Sequence, residues 1–122
     1  MSDPKLIANF VLDPAGKPKA VEKNGVKHYV LRLGVEDSPD DAYAVTYKLD
    51  ESYYDPIRES RERAANFVEE LTSYGDYVVQ AKVRSRQGVE PIAANLSSAL
   101  EIGHSGNRTP EIQAALDEIK AN

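Results

Sequence analysis

Alternation of apolar and polar residues at every second position recurs along this chain, and it restricts the fold more than any other feature. The clearest examples are residues 42–49 and 77–83. A period of two places successive side chains on opposite faces of a strand, so each stretch predicts a half-buried β-strand. The same pattern predicts further strands at residues 5–12, 18–23, 26–35 and 92–102.

Residues that favour turns separate these strands. Asn24-Gly25 predicts a tight hairpin, because both residues tolerate the left-handed backbone of a type I′ turn. Residues 13–16 (DPAG) and Gln87-Gly88 also have the composition of turns. Six or seven short strands joined in this way predict an all-β fold of two antiparallel sheets packed face to face.

The stretch between residues 57 and 71 fits two patterns. Apolar and arginine residues recur there at helical spacing, which slightly favours a helix. Phe67, Glu69 and Leu71 also alternate, which is typical of a strand. The residue pattern leaves both readings open.

A short helix is predicted at the C-terminal end. Thr109 can cap it, Pro110 suits its first position, and Glu111 lies at the positive end of its dipole. Its apolar stripe is Ile112, Ala115, Leu116 and Ile119. We therefore predict a main unit over residues 1–104 and a linker with this helix over residues 105–122. Such a short helix is unstable alone and is expected to dock on its own sheet, dock on a partner, or fray.

Composition argues against several classes of partner and site. The net charge of −5 argues against nucleic acid, which needs a field of Lys and Arg. The chain has no cysteine, and its two histidines are far apart in sequence, so we expect neither a disulfide nor a metal site. No apolar run approaches the roughly 18 residues of a membrane span, and no signal-peptide pattern opens the chain. We expect a cytoplasmic protein with no membrane partner and no cofactor.

No catalytic set stands out. No Gly-x-Ser-x-Gly motif accompanies the histidines, and the acids Asp50 and Asp76 are only two among many. Tyr53 and Tyr74 could instead stack on a planar ligand, although capping the open end of the sandwich is the slightly favoured reading. The Ser52 hydroxyl could bind a ligand amide or its own turn.

Three segments together resemble the YEATS domain. They are residues 45–53 (VTYKLDESY) followed by Asp55-Pro56 and Arg58, residues 73–77 (SYGDY), and residues 25–28 (GVKH). The second is similar to the aromatic turn of the prokaryotic branch. The resemblance covers residues 5–103 and implies an immunoglobulin-like sandwich of about seven strands, extended backbone at residues 67–71 and a last strand at residues 95–102.

The resemblance also implies a ligand site. Eukaryotic members hold an acylated lysine between aromatic rings in the loops at one end of the sandwich, and a serine hydroxyl satisfies its polar atoms. Ser52, Tyr53 and Tyr74 match the family's serine and aromatic positions. Asp50 stands where the family has a histidine, and Val26 stands where it has an aromatic wall. The implied ligand-binding set is Asp50, Ser52, Tyr53, Tyr74, Gly75, Val26 and His28.

Two hypotheses follow. In the first, the chain is a non-enzymatic binding module whose aromatic loop edge holds a peptide, an acylated side chain or another small planar ligand. In the second, it is an interaction protein that assembles through a sheet edge or its C-terminal helix, with itself as a homo-oligomer or within a prokaryotic signalling or effector system. Taken together, the two hypotheses favour a protein or peptide partner.

Overall fold

A computed structural model describes residues 3–122, so Met1 and Ser2, where the predicted main unit begins, lie outside the described residues. Two antiparallel sheets and two α-helices make up the fold. The strands are β1 (Lys5–Phe10), β2 (Ala20–Lys23), β3 (Val26–Glu36), β4 (Ala44–Lys48), β5 (Ile57–Ser60), β6 (Glu69–Ser73), β7 (Val78–Ser85) and β8 (Gly88–Asn95). The helices are α1 (Leu96–Gly103) and α2 (Pro110–Ala121).

The long strand β3 organises the first sheet. It pairs with β6 along one side and with β1 and then β2 along the other, since Leu31 has a partner in both β1 and β6 and Tyr29 has one in both β2 and β6. The second sheet has the order β5-β4-β7-β8. Alternate residues of each sheet point into one shared core, including Leu31, Leu33, Tyr47 and Val79. The predicted all-β sandwich is therefore confirmed, and the alternation that predicted it is the burial pattern of its strands.

The predicted hairpin turn is present between β2 and β3. Asn24 and Gly25 have φ angles of 52° and 77°, as a type I′ turn requires. The turn between β7 and β8 lies one residue earlier than predicted, because Ser85 pairs with Gly88. Gly88 opens β8 with a φ of 130°, a conformation that only glycine adopts readily.

The prediction of one strand over residues 92–102, with a last strand at 95–102, is wrong beyond Asn95. Residues from Leu96 onward form α1 and bury Leu96, Ala99 and Leu100, which share one face at helical spacing. The Asp76 carboxylate accepts the Ser97 backbone N–H at 2.9 Å and the Ser97 hydroxyl at 2.7 Å. It thereby satisfies a backbone donor that the first helical turn leaves unpaired.

The helix slightly favoured over residues 57–71 is also wrong. These residues form β5, a short 3₁₀ turn (Arg63–Ala65) and β6. Phe67 is fully buried at a φ of 57°, and the Tyr47 hydroxyl donates to its carbonyl at 2.7 Å. The extended backbone implied by the resemblance is found from Glu69 onward, but Phe67 itself is left-handed.

The predicted terminal helix is confirmed. The Thr109 side chain accepts the Ile112 backbone N–H, and all four residues of the apolar stripe are buried in the main core. Of the three predicted outcomes, α2 docks on its own domain. The division after residue 104 stays a prediction, and α2 shares the core of the residues that precede it. Within residues 3–122, no helix has the length and apolar character needed to cross a bilayer.

Docking of α2 should carry a large share of the stability. We expect Leu116→Ala to lower the free energy of unfolding by about 2–5 kcal/mol, because it leaves a cavity in the core. Ile102→Ala, at a partly exposed position of α1, is the control and should cost about 1 kcal/mol or less. Urea denaturation measures both values, and an unchanged Leu116→Ala midpoint would show that α2 is not part of the folded core.

Candidate functional site

A cavity of about 300 Å³ opens at one end of the sandwich. It lies where the β2–β3 hairpin, the β4–β5 loop and the β6–β7 turn meet the end of α2. Six of the seven predicted site residues line it, namely His28, Asp50, Ser52, Tyr53, Tyr74 and Gly75. Val26 does not line the cavity; it lies on the hairpin, and its carbonyl bonds the His28 ring.

Two tyrosines form the fixed base of the cavity. The Tyr77 hydroxyl donates to the Tyr53 hydroxyl at 3.0 Å, and the Tyr53 hydroxyl donates to the Thr72 carbonyl at 2.7 Å. Burial raises the pKa of both phenols, and the bond to Tyr53 raises that of Tyr77 further. Tyr53 therefore has the capping role that was one of its two predicted alternatives, and Tyr77 packs against the core beside it.

Tyr74 differs from these two tyrosines because the residue is 54% exposed. It meets the His28 ring edge to face, with centroids 5.3 Å apart. His28 is itself held by a 2.9 Å bond between Nδ1 and the Val26 carbonyl. The exposed Tyr74 ring is thus available to a ligand, and its contact with the His28 ring limits its movement.

Ser52 and Asp50 bond each other. The Ser52 hydroxyl donates to Asp50 Oδ2 at 2.6 Å, and the Ser52 backbone N–H donates to the same oxygen at 3.1 Å. These two bonds lower the pKa of the fully exposed Asp50 carboxyl, which is therefore ionised at neutral pH. Of the two predicted roles for the Ser52 hydroxyl, the bond within its own turn is the one observed.

Gly75 allows α2 to close the far wall of the cavity. A Cβ atom at this position would lie 2.8 Å from the Asn122 backbone oxygen, so a side chain here would push the helix end away. The buried Ser73 hydroxyl fixes the turn by donating to the Gly75 carbonyl at 2.7 Å. The glycine of the predicted turn thus has a packing function.

The loop that carries Asp50 and Ser52 is tied to the first sheet by Arg58. The Arg58 guanidinium donates to the carbonyls of Asp55 and Glu70 and lies 5.8 Å from the centre of the Tyr53 ring. Its ion pair with Glu69 is only partly exposed. Arg58 lies in β5, and these contacts hold the cavity's loop in place.

Six further residues line the cavity that were not in the predicted set, namely Lys23, Thr72, Ser73, Asp76, Tyr77 and Asn122. Ser73, Asp76 and Tyr77 belong to the turn segment that carries the resemblance, and the hairpin register would have placed Lys23 opposite Val26. No sequence pattern near Asn122 indicated that it lines the cavity, because its position depends on how α2 docks. Within residues 3–122, no group of three or more His, Cys, Asp or Glu side chains is arranged to hold a metal ion.

The family model for the prokaryotic YEATS domain matches residues 28–96, which is more than half of the chain. The chain belongs to the YEATS family. The predicted resemblance to its prokaryotic branch is therefore confirmed. YEATS domains are binding modules, and eukaryotic members bind acylated histone peptides.

A solved structure supports the same fold for this YEATS domain. The Yaf9 YEATS domain recognizing an H3K122suc peptide superposes with a TM-score of 0.53 at 19% identity, covering 80% of this chain and 70% of that one. At this identity the likeness concerns the fold. None of the curated proteins compared with the chain matches it.

The buried phenols of Tyr53 and Tyr77 at the floor of the cavity predict that the protein is less stable at alkaline pH. A raised pKa in the folded state means that the stabilisation is present below the ordinary tyrosine pKa of about 10 and is lost as the pH rises through it toward the folded-state value. We expect the free energy of unfolding to fall above about pH 10. Tyr77→Phe should make the fall less steep.

Urea denaturation at a series of pH values measures this effect. Tyr54→Phe is the matched control, because the Tyr54 side chain is fully exposed. An alkaline slope that Tyr77→Phe leaves unchanged would show that the phenol of Tyr77 is not held neutral by the fold.

Proposed function

We propose that this YEATS domain is a non-enzymatic binding module whose cavity holds a peptide side chain or another small planar ligand. The observation that supports this proposal most is the half-exposed Tyr74 ring, which faces an open cavity beside His28 while Tyr53 and Tyr77 form a fixed base. A pocket whose rigid parts are bonded in advance loses little entropy when a ligand is ordered in it.

The size and character of the cavity agree with a side-chain ligand. Its volume of about 300 Å³ lies at the lower end of the range for small-molecule pockets. The amide of an acylated lysine is planar and could stack on Tyr74, and the succinylated peptide recognized by the Yaf9 domain is a relative's ligand of that kind. An acylated side chain is therefore one member of the ligand class that we propose.

Tyr74→Ala tests the proposal. With short peptides carrying an unmodified or acylated lysine as probes, we expect Tyr74→Ala to weaken binding about tenfold or more, because it removes a stacking face. Its melting temperature should stay close to that of the native chain, since Tyr74 is an exposed residue outside the core. Amide chemical shifts around the β6–β7 turn report binding.

Tyr54→Ala is the matched control, since Tyr54 is equally aromatic and fully exposed but does not line the cavity. It should bind the peptides as the native chain does. Peptide binding that survives Tyr74→Ala, or peptides that leave the resonances of the turn unshifted, would exclude the cavity as the binding site.

Assembly through a sheet edge is the second candidate. Strand β8 is the outer strand of its sheet, and most of its residues are exposed, which favours pairing with another strand. Pro91 lies within β8 and cannot donate a backbone hydrogen bond, which is a common protection of such edges. The stripe of α2 is buried in the chain's own core, so it does not support assembly through that face.

Light scattering over a wide concentration range separates the two candidates. Assembly through β8 predicts a mass that rises with concentration toward that of a dimer. A constant monomer mass would exclude self-assembly through the edge and leave the binding module.

A further inference from the structure

Most hydroxyl protons around the cavity are already committed to the fold, while those of Thr72 and Tyr74 have no acceptor within residues 3–122. A hydroxyl group has a single proton to donate. That of Tyr77 goes to Tyr53, that of Tyr53 to the Thr72 carbonyl, and that of Ser52 to Asp50. None of these three hydroxyls has a proton left for the carbonyl oxygen of a ligand.

Acceptor atoms without a hydrogen-bond donor, in contrast, remain in the cavity. Both Ser52 bonds end on Asp50 Oδ2, and no group within residues 3–122 donates a hydrogen bond to Asp50 Oδ1. The Val26 carbonyl can only accept, so His28 Nδ1 carries the proton of that bond. In the neutral ring, His28 Nε2 is then an acceptor.

The aromatic rings and charges around the cavity also favour a ligand that donates hydrogen bonds. The face of an aromatic ring attracts cations, and Tyr74 is the cavity tyrosine with the greatest exposure. The chain carries a net charge of −5, which favours encounter with basic partners. Asp76 is also negatively charged, but both of its carboxylate oxygens already accept bonds from Ser97, which leaves them less free than Asp50 Oδ1 to accept a bond from a ligand.

We propose that the cavity selects a positively charged side chain with N–H donors, that of lysine or arginine in a basic peptide, over a neutral acylated lysine. The inference rests on the proposed function and narrows its ligand class. In the arrangement that we infer, the ammonium or guanidinium group donates to Asp50 Oδ1 and lies against the ring of Tyr74. Hydrogen bonds to a charged group are the strong ones in such a site.

Lys23 is the group that opposes this assignment. Its ammonium donates to the Thr72 hydroxyl at 2.9 Å and has two further protons, so it would favour an anionic or carbonyl ligand. Its side chain is exposed and flexible, whereas the Asp50 carboxylate is fixed by two bonds from Ser52. We therefore assign the dominant role to Asp50. Because the two residues carry opposite charges, neutralising each of them should change the affinity for a charged peptide in opposite directions.

The experiment uses blocked pentapeptides of glycine that differ only in the central residue, which is lysine, arginine, Nε-acetyl-lysine or Nε-succinyl-lysine. Dissociation constants come from amide chemical shifts of the full chain. We expect the lysine and arginine peptides to bind tighter than both acylated ones. Asp50→Asn should weaken the lysine peptide about tenfold or more, since it removes a charge-assisted bond. Lys23→Gln should strengthen it about two- to fivefold.

Glu51→Gln and Lys19→Gln are the matched controls, because each removes the same charge from an exposed neighbour that does not line the cavity. Both should leave the dissociation constants within about twofold. If Glu51→Gln weakens the lysine peptide as much as Asp50→Asn, the effect is one of bulk charge and the inference is wrong. If Asp50→Asn perturbs the fold, the Lys23→Gln result and the peptide ranking decide.

The outcomes separate this inference from the function on which it rests. Tighter binding of the acetyl or succinyl peptide, weakened by Lys23→Gln and strengthened by Asp50→Asn, would overturn the inference and keep the binding module. Failure of all four peptides to shift the resonances of Tyr74 and Gly75 would overturn both.

Discussion

The pairing register of β3 is the constraint on which the rest of the structure depends. This one strand forms ladders with β1, β2 and β6, and its inward residues supply the middle of the core. Tyr29 pairs with Ser73, so the next residues along the two strands, His28 and Tyr74, meet at the mouth of the cavity. A slip of one residue would expose the apolar face of β3 and separate these two rings.

Most of the strands and α2 could be predicted from the sequence, because interactions between residues close in sequence determine them. Alternation is strict where one sheet face is buried, and the cap of α2 is a local bond that the Thr109 side chain accepts from the Ile112 backbone N–H. The error at α1 has a distant cause. Leu96 and Leu100 fit a strand and a helix equally well, and the Asp76 carboxylate that caps the helix lies twenty-one residues before Ser97. Tertiary contacts of this kind decide short ambiguous segments, as burial of Phe67 also does for the connector before β6.

Most residues of the candidate site could be predicted from the sequence, but the hydrogen bonds that they form could not. The matched loop segments gave six of the residues that line the cavity, because neighbouring loops of a sandwich meet at one end. Which tyrosine is structural could not be read from the sequence, since Tyr53 and Tyr74 occupy similar loop positions. The difference arises from the neighbours that each hydroxyl finds after folding. Asn122 reaches the cavity only because the whole of α2 packs on the core.

The fold and the candidate site compete for the same polar atoms, and that competition limits which groups of the site are free to bond a ligand. A hydroxyl that fixes a loop by donating its proton cannot also donate it to a ligand, so rigid loops reduce the donors left for binding. In this chain the stabilising bonds of Tyr53, Tyr77 and Ser52 use hydroxyl protons, while a carboxylate oxygen of Asp50 is left free. A relative with a histidine at that position would present a different balance of donors on the same backbone. Ligand choice in this family can therefore change without any change of fold.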